Sequence, residues 1–193
     1  MEADSALQLL LSANQLKRVP RTGWVMRGVV DAESVSDHTF GVTFASLVLA
    51  QMVDEPLDTV KMLTMALIHD LPEAILGDIP APSWRHFPEG TKPVVEEQTL
   101  RALLTGLAWG DEWQTWWCEF GDRNSLEAML VRDADRLDLL IQAFVYSETT
   151  ANRWLEEFWA EADSHSFELE VSRSVFEALC HLRGRSRRAG EVD

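Results

Sequence analysis

Apolar residues recur at helical spacing along nearly the whole chain, and no segment shows the strict alternation of a strand, so the pattern predicts an all-α domain. A first helix covers about residues 5–16, with Leu7, Leu10, Leu11 and Leu16 along it. A second opens at Ser34-Val35-Ser36-Asp37-His38. Ser36 or Asp37 is its expected cap and Phe40, Phe44, Leu47 and Val48 its expected inward face. Asp54-Glu55-Pro56 ends that helix, and Asp58 caps a third that runs to the adjacent pair His69-Asp70. Pro72 fits the first turn of a new short helix, which would turn the chain and swing Glu73 back towards the pair. Turn-rich loops follow at 77–82 and 88–93, and helical spacing resumes at Val94. Trp109, Trp113, Trp116, Trp117 and Phe120 form an aromatic stretch that suits core or a subunit contact better than a ligand-stacking box. The longest pattern spans Leu126 to Thr149, with Leu130, Ala134, Leu137, Ile141 and Phe144 as its stripe. Two further helices are expected around Trp154–Trp159 and Val171–Leu182, and Arg183 begins a basic tail expected to be disordered.

Length and charge narrow the function. The 193 residues suffice for one domain with its own core, taken here as 1–182, with 183–193 as the tail. A net charge of −15 argues against nucleic acid as a partner. Apolar runs are too short to span a bilayer, so no membrane partner is expected. Two widely separated cysteines, Cys118 and Cys180, and an acidic start suggest a reducing, cytoplasmic setting. Against this acidic background, Lys17, Arg18, Arg21 and Arg27 form a local basic run. Arginine suits bidentate contact with phosphate or carboxylate. Distant charges are screened over about 8 Å at physiological salt, so the local field decides what binds.

Imidazole and carboxylate side by side at the end of an apolar helix are costly unless something pairs with them, and a divalent cation is the natural candidate. Further ligands must then lie elsewhere. His38 sits in the first turn of its helix beside an apolar stripe, and Asp133, Asp135 and Asp138 flank the long helix. Asp135 lies about 100° around that helix from Ala134, within reach of an interior site. Spacing alone does not choose among these acids.

The order His38, His69-Asp70, then an Asp on a later long helix resembles the HD-domain metal-dependent phosphohydrolases. The segments Leu16–Trp24, Glu33–His38, His69–Glu73 and Gly77–Ile79 resemble their small 5′-deoxynucleotidase branch, over about residues 7–150. The resemblance implies a single HD-domain helical bundle with its metal site between core helices. It implies His38, His69, Asp70 and Asp135 as ligands, the last because Arg132 stands three residues before it. It implies a catalytic role for Glu73, a phosphate-orienting role for Arg21, and substrate contacts from Asp78, with Trp24 and Arg27 nearby. One divalent transition metal is expected (Mn²⁺, Co²⁺, Fe²⁺, Ni²⁺ or Zn²⁺), since a mixed N/O set suits these better than Mg²⁺. The implied reaction removes the 5′-phosphate from a small-molecule substrate, a (deoxy)nucleoside 5′-monophosphate. The alternatives are an HD phosphohydrolase acting on nucleoside triphosphates or another nucleotide intermediate, and a non-catalytic metal-stabilised helical module. The resemblance and the Trp-rich stretch together suggest a homodimer.

Overall fold

A computed structural model describes residues 2–150, 152–160, 162 and 167–190, with side chains described to residue 186. Its helices are α1 (Glu2–Gln15), α2 (Thr22–Val25), α3 (Val35–Ala50), α4 (Thr59–Ile68), α5 (Glu73–Leu76), α6 (Ala81–Trp84), α7 (Thr91–Leu103), α8 (Gly110–Asp122), α9 (Leu126–Thr149), α10 (Glu157–Ala160) and α11 (Glu170–Gly190). Short 3₁₀ turns at Leu16–Arg18 and Arg153–Glu156 join some of them. Among the described residues no strand forms. Pro20 and Ser34 make an isolated antiparallel bridge, flanked by Arg21 N–H to Glu33 O at 2.9 Å and Val35 N–H to Val19 O at 2.8 Å. This closes the loop that carries Arg21 against the start of α3. No helix among the described residues is long and apolar enough to cross a membrane.

The long helix α9 is the axis, with α3, α4, α8 and α11 packed around it. Burial divides into two apolar clusters. One gathers Val42, Leu49, Met62, Met65, Leu130 and Leu137 around α9. The other gathers Leu9, Leu16, Val35, Ile68, Leu71 and Leu100 beneath α1 and α7. His38 lies between Val35 of one cluster and Val42 of the other, and His69 follows Ala66 and Ile68, which divide in the same way. The two histidines therefore mark the seam between the cores, where polar groups displace the least apolar contact.

Several expected faces turn the other way. The N-cap of α3 is Ser34, in a reciprocal capping box with Asp37. Its expected inward stripe faces out: Phe40 is 72% exposed and Phe44 59%, with Leu47 and Val48 also exposed. The buried stripe is Val35, His38, Val42, Ser46 and Leu49. Two helical stripes compete on α3. The one carrying polar groups goes inside because its polar atoms are satisfied there: Ser46 Oγ donates to Val42 O at 2.8 Å and His38 meets two carboxylates. On α1 likewise, Leu7, Leu10 and Leu11 are exposed while Leu9 is buried. On α9 burial passes from Leu137 to Leu140 and Ala143, leaving Ile141 exposed, because a straight helix drifts off a four-three repeat. Helix α7 starts at Thr91, earlier than expected, with Pro93 inside its first turn and Gly90 before it. The Trp-rich stretch forms α8; Trp113 and Trp117 pack on one core and Trp116 on the other. The basic segment expected to be a disordered tail continues α11 as helix to Gly190, with Arg183 paired to Glu156 and Ser186 bonded to Glu148. Residues 191–193 lie outside the described residues.

Candidate functional site

Helix α4 ends at Ile68, and His69 is its C-cap. The last carbonyls of a helix lack intrahelical partners, and the ring uses one of them: His69 Nδ1–H donates to Ala66 O at 2.8 Å. A carbonyl only accepts, so Nδ1 carries the proton and Nε2 presents its lone pair. His38, on α3, has Asp138 Oδ2 from α9 at 2.7 Å from its Nδ1, which likewise turns His38 Nε2 inward. The two Nε2 atoms face each other at 3.4 Å. Asp135 Oδ1 lies 3.2 Å from His38 Nε2. Asp70 Oδ2 lies 3.2 Å from His69 Nε2 and 3.7 Å from His38 Nε2. Donor atoms of His38, His69 and Asp135 all fall within 4.8 Å of one another.

Two lone pairs and two carboxylates aimed at one point repel each other unless a cation sits among them, so these residues fit a divalent metal. The protein's own charges show the same demand. Burial alone would lower the His38 pKa, but hydrogen bonds to Asp135 and Asp138 raise it to about 10. Burial would raise Asp135, yet the hydrogen bond and charge of His38 hold it down at about 2. Asp70 is pulled well below the usual carboxylate range against burial, by His69, Arg21 and His38.

This centre lies on the wall of a cavity of about 1160 Å³ whose lining includes His69, Asp70, Glu73, Asp78, Arg21 and Asp135. Pro72 is the N-cap of α5, so the chain turns directly after His69-Asp70 and Glu73 enters the cavity. Glu73 Oε2 is buried without a hydrogen-bond partner. Burial, then the charges of Asp70 and Asp78, push its pKa up to about 9. A buried, unpaired carboxyl oxygen on the same cavity wall as the converging side chains can give or take a proton.

Arg21 reaches Asp70 Oδ2 at 3.2 Å. Burial opposes its charge, but Asp70, Asp135, Asp78 and Glu73 together hold it firmly protonated. Asp78 borders the cavity, and its carboxylate already takes the Thr22 N–H at 2.6 Å while its carbonyl takes the Thr22 hydroxyl at 2.7 Å. Trp24 borders the cavity too, but it is 1% exposed; its indole N–H donates to Glu33 at 2.8 Å and its ring packs on Phe158. Arg27 also lines it, paired to Glu157 at 2.9 Å with its guanidinium 4.4 Å over Phe158. Lys17 and Arg18, from the same basic run, are exposed.

The three acids of α9 divide their work. Asp133 is 2% exposed and accepts the N–H groups of Glu168 and Leu169, both at 2.9 Å, at the entry to α11. Asp135 faces the centre and Asp138 backs His38. Sequence reasoning counted Asp138 among the candidate acids but gave it no role behind His38, and it passed over the neighbouring Gly41. The available signals were an Asp one turn beyond Asp135 and a glycine inside a helical run, where glycine is disfavoured. It gave no site contact to Trp117, whose indole donates to His69 O at 3.0 Å, and placed Arg132 only as a marker of Asp135, whereas Arg132 lines the cavity with its guanidinium 5.1 Å over Phe120.

The model of the family described as HD domain matches residues 13–171. A curated relative from Danio rerio, 5′-deoxynucleotidase HDDC2, is 34% identical over 191 residues, covering 97% of this chain and 92% of its own. The Bos taurus protein of the same name is 39% identical over 148 residues, covering 76% and 70%. Among solved structures, a conserved hypothetical protein from Pyrococcus furiosus superposes with a TM-score of 0.77 at 36% identity, covering 92% of this chain and 98% of that one. A structure from Magnetospirillum magnetotacticum, titled as a predicted metal-dependent phosphohydrolase, shares the fold at 20% identity and a TM-score of 0.71, covering 95% and 93%. With its helical bundle, its paired histidines at the seam of two cores, and these matches along most of its length, the chain belongs to the HD-domain family.

Proposed function

We propose that this protein is a metal-dependent phosphohydrolase that removes the 5′-phosphate from (deoxy)nucleoside 5′-monophosphates. The observation that carries this reading is the convergence of His38, His69, Asp70 and Asp135 on the wall of a cavity that also holds Arg21 and the unpaired oxygen of Glu73. The relatives named 5′-deoxynucleotidase point to the same substrate class.

His38, His69, Asp70 and Asp135 would hold one divalent transition ion, of the group Mn²⁺, Co²⁺, Fe²⁺, Ni²⁺ and Zn²⁺ that such a ligand set suits. That ion supplies Lewis acidity, offsetting charge on phosphorus and easing deprotonation of water. Arg21, kept charged by the surrounding acids, holds the phosphate. Glu73 moves the proton. In its protonated form it is the acid for the departing 5′-oxygen; a water oxygen bonds to phosphorus as the bond to that 5′-oxygen breaks, and the ionised carboxylate then takes the proton that this water carried onto the released phosphate. Asp78 faces the sugar while anchoring α2, and Trp24 and Arg27 support the wall beside it.

A second reading, action on triphosphates or another nucleotide intermediate, draws on the additional cations Arg85, Lys92, Arg132 and Arg136 around the cavity. A panel of nucleoside mono-, di- and triphosphates, assayed with Mn²⁺ or Co²⁺, separates the two. Turnover of monophosphates is expected, and activity confined to triphosphates rejects the first reading.

The exposed stripe of α3, with Phe40 and Phe44 stacked at 6.2 Å, supports a homodimer. Light scattering is expected to give twice the chain mass for the wild type and the single mass for Phe44→Glu. The unpaired thiols of Cys118 and Cys180 suit a cytoplasmic setting.

A further inference from the structure

We propose that Asp138 is a positioning residue of the metal centre, gripping His38 from behind so that its Nε2 faces the ion, and that residue 41 is glycine to make room for that grip. The inference rests on the reading of His38 as a ligand. His38 and Gly41 are one turn apart on α3, and Asp135 and Asp138 are one turn apart on α9, so each helix presents a pair on one face. The two pairs interlock around a single imidazole. Asp135 Oδ1 approaches Nε2 at 3.2 Å and Asp138 Oδ2 approaches Nδ1 at 2.7 Å. The ring is 1% exposed, so water does not compete for either nitrogen.

Gly41 is the counterpart. A Cβ at this position would lie 2.0 Å from Asp138 Oδ1 and 2.6 Å from its Cγ. These atoms belong to a short side chain pinned by its bond to His38, so a methyl group would have to expel the carboxylate. Gly41 has an ordinary helical backbone, not a positive φ. Close approach, not backbone conformation, accounts for the glycine. Glu33 stands near enough that Glu33, His38 and Asp138 could themselves group around an ion. Its carboxylate instead accepts the Trp24 indole N–H at 2.8 Å, and the 2.7 Å spacing of Asp138 from Nδ1 is that of a charge-assisted hydrogen bond carrying its proton.

The test uses Zn²⁺ as a diamagnetic probe on the full chain, with affinity read by competition against a chromophoric chelator. Asp138→Ala is expected to weaken Zn²⁺ binding by about 10–100-fold, the range seen for groups that orient metal-bound histidines. Asp138→Asn, which keeps the volume and one acceptor oxygen, is expected to fall between that variant and the wild type. In ¹⁵N-histidine-labelled zinc protein, the wild type should show a protected His38 Nδ1–H, absent from the Asp138→Ala spectrum. Gly41→Ala should weaken binding in the wild-type background and change it less than about twofold in Asp138→Ala, since the two lesions then share one cause. Unchanged affinity in Asp138→Ala, or a His38 Nδ1 that carries no proton in the wild type, overturns the assignment of Asp138. Equal losses from Gly41→Ala in both backgrounds overturn the role of Gly41. If His38→Ala itself binds Zn²⁺ as tightly as the wild type, the ligand reading fails, a result distinct from the others.

Discussion

The two histidines at the centre of this protein are oriented in opposite ways. His69 stands at the end of α4, where the helix leaves carbonyls without partners, and its Nδ1–H takes the one three residues back. His38 stands in the first turn of α3, where the orphan groups are N–H donors and no carbonyl is free for a ring N–H. It needs an acceptor from outside its own helix, and a carboxylate 100 residues further along supplies it. A histidine at a helix C-terminus is thus held by the backbone, and its ring N–H needs no side-chain acceptor. A histidine at an N-terminus depends on a second element arriving in register. Half of the centre is fixed by secondary structure and half by tertiary packing.

This contrast can be broken at several points. The largest expected effect is common to both halves: His38→Ala and His69→Ala should each weaken metal binding by more than about 100-fold, beyond the range of supporting groups, as measured by elemental analysis after dialysis. Retention of the metal by one of them would show that the halves are not equal partners. Glu73→Gln should keep the metal while turnover falls about 10²- to 10⁴-fold; steady-state kinetics with matched metal content check that the contrast concerns binding and not proton transfer. Metal removal should act through stability. With free metal at about 100 times Kd, binding adds about 2.7 kcal/mol to the folded state, so chelation should lower Tm by about 5–10 °C for a chain of this size. In Asp138→Ala, weakened about 100-fold, the same metal adds about 0.4 kcal/mol, and scanning calorimetry should show a shift of about 1 °C. The smallest effect is expected on the backbone-held side. Trp117→Phe removes the indole hydrogen bond to His69 O, should cost about 0.5–1.5 kcal/mol in denaturant unfolding, and should change metal affinity less than about threefold. A large loss of affinity there would mean that the C-terminal carbonyls do not suffice to hold His69.

Legibility from the sequence follows the same division. Features that depend on local chain chemistry were readable: the helical period, the caps and prolines that bound α4 and α5, and His69-Asp70-x-x-Glu73 as one unit. The choice of Asp135 over Asp133 and Asp138 came from the family resemblance and not from spacing, because all three lie on one stretch of helix and differ only in what packs against them. The face of α3 was misread for a related reason. Its apolar stripe is the stronger pattern, yet burial went to the stripe whose histidine and serine find partners inside, and partners from distant segments leave no mark on a hydrophobicity pattern. The basic segment after Leu182 reads as a tail because it carries few apolar residues; its helix continues because Arg183 and Ser186 reach acids on other elements.

The paired bonds between Thr22 and Asp78 have a consequence for re-engineering the cavity. They tie the helix that follows Arg21 to the loop that leaves α5, so two segments that line the cavity are clasped together. Beyond Asp78 the loop runs on through Pro80 to α6, outside the clasp. Ile79 to Pro82 and Arg85 line the cavity beyond the clasp, so length changes between residues 79 and 90 are expected to alter how large a molecule it admits while leaving Arg21, Glu73 and the four converging side chains in register. Changes before Asp78 open the clasp itself. On the proposed reading, the Asp78 carboxylate marks the boundary between the groups assigned to the chemistry and the loop that would limit the size of what the cavity accepts.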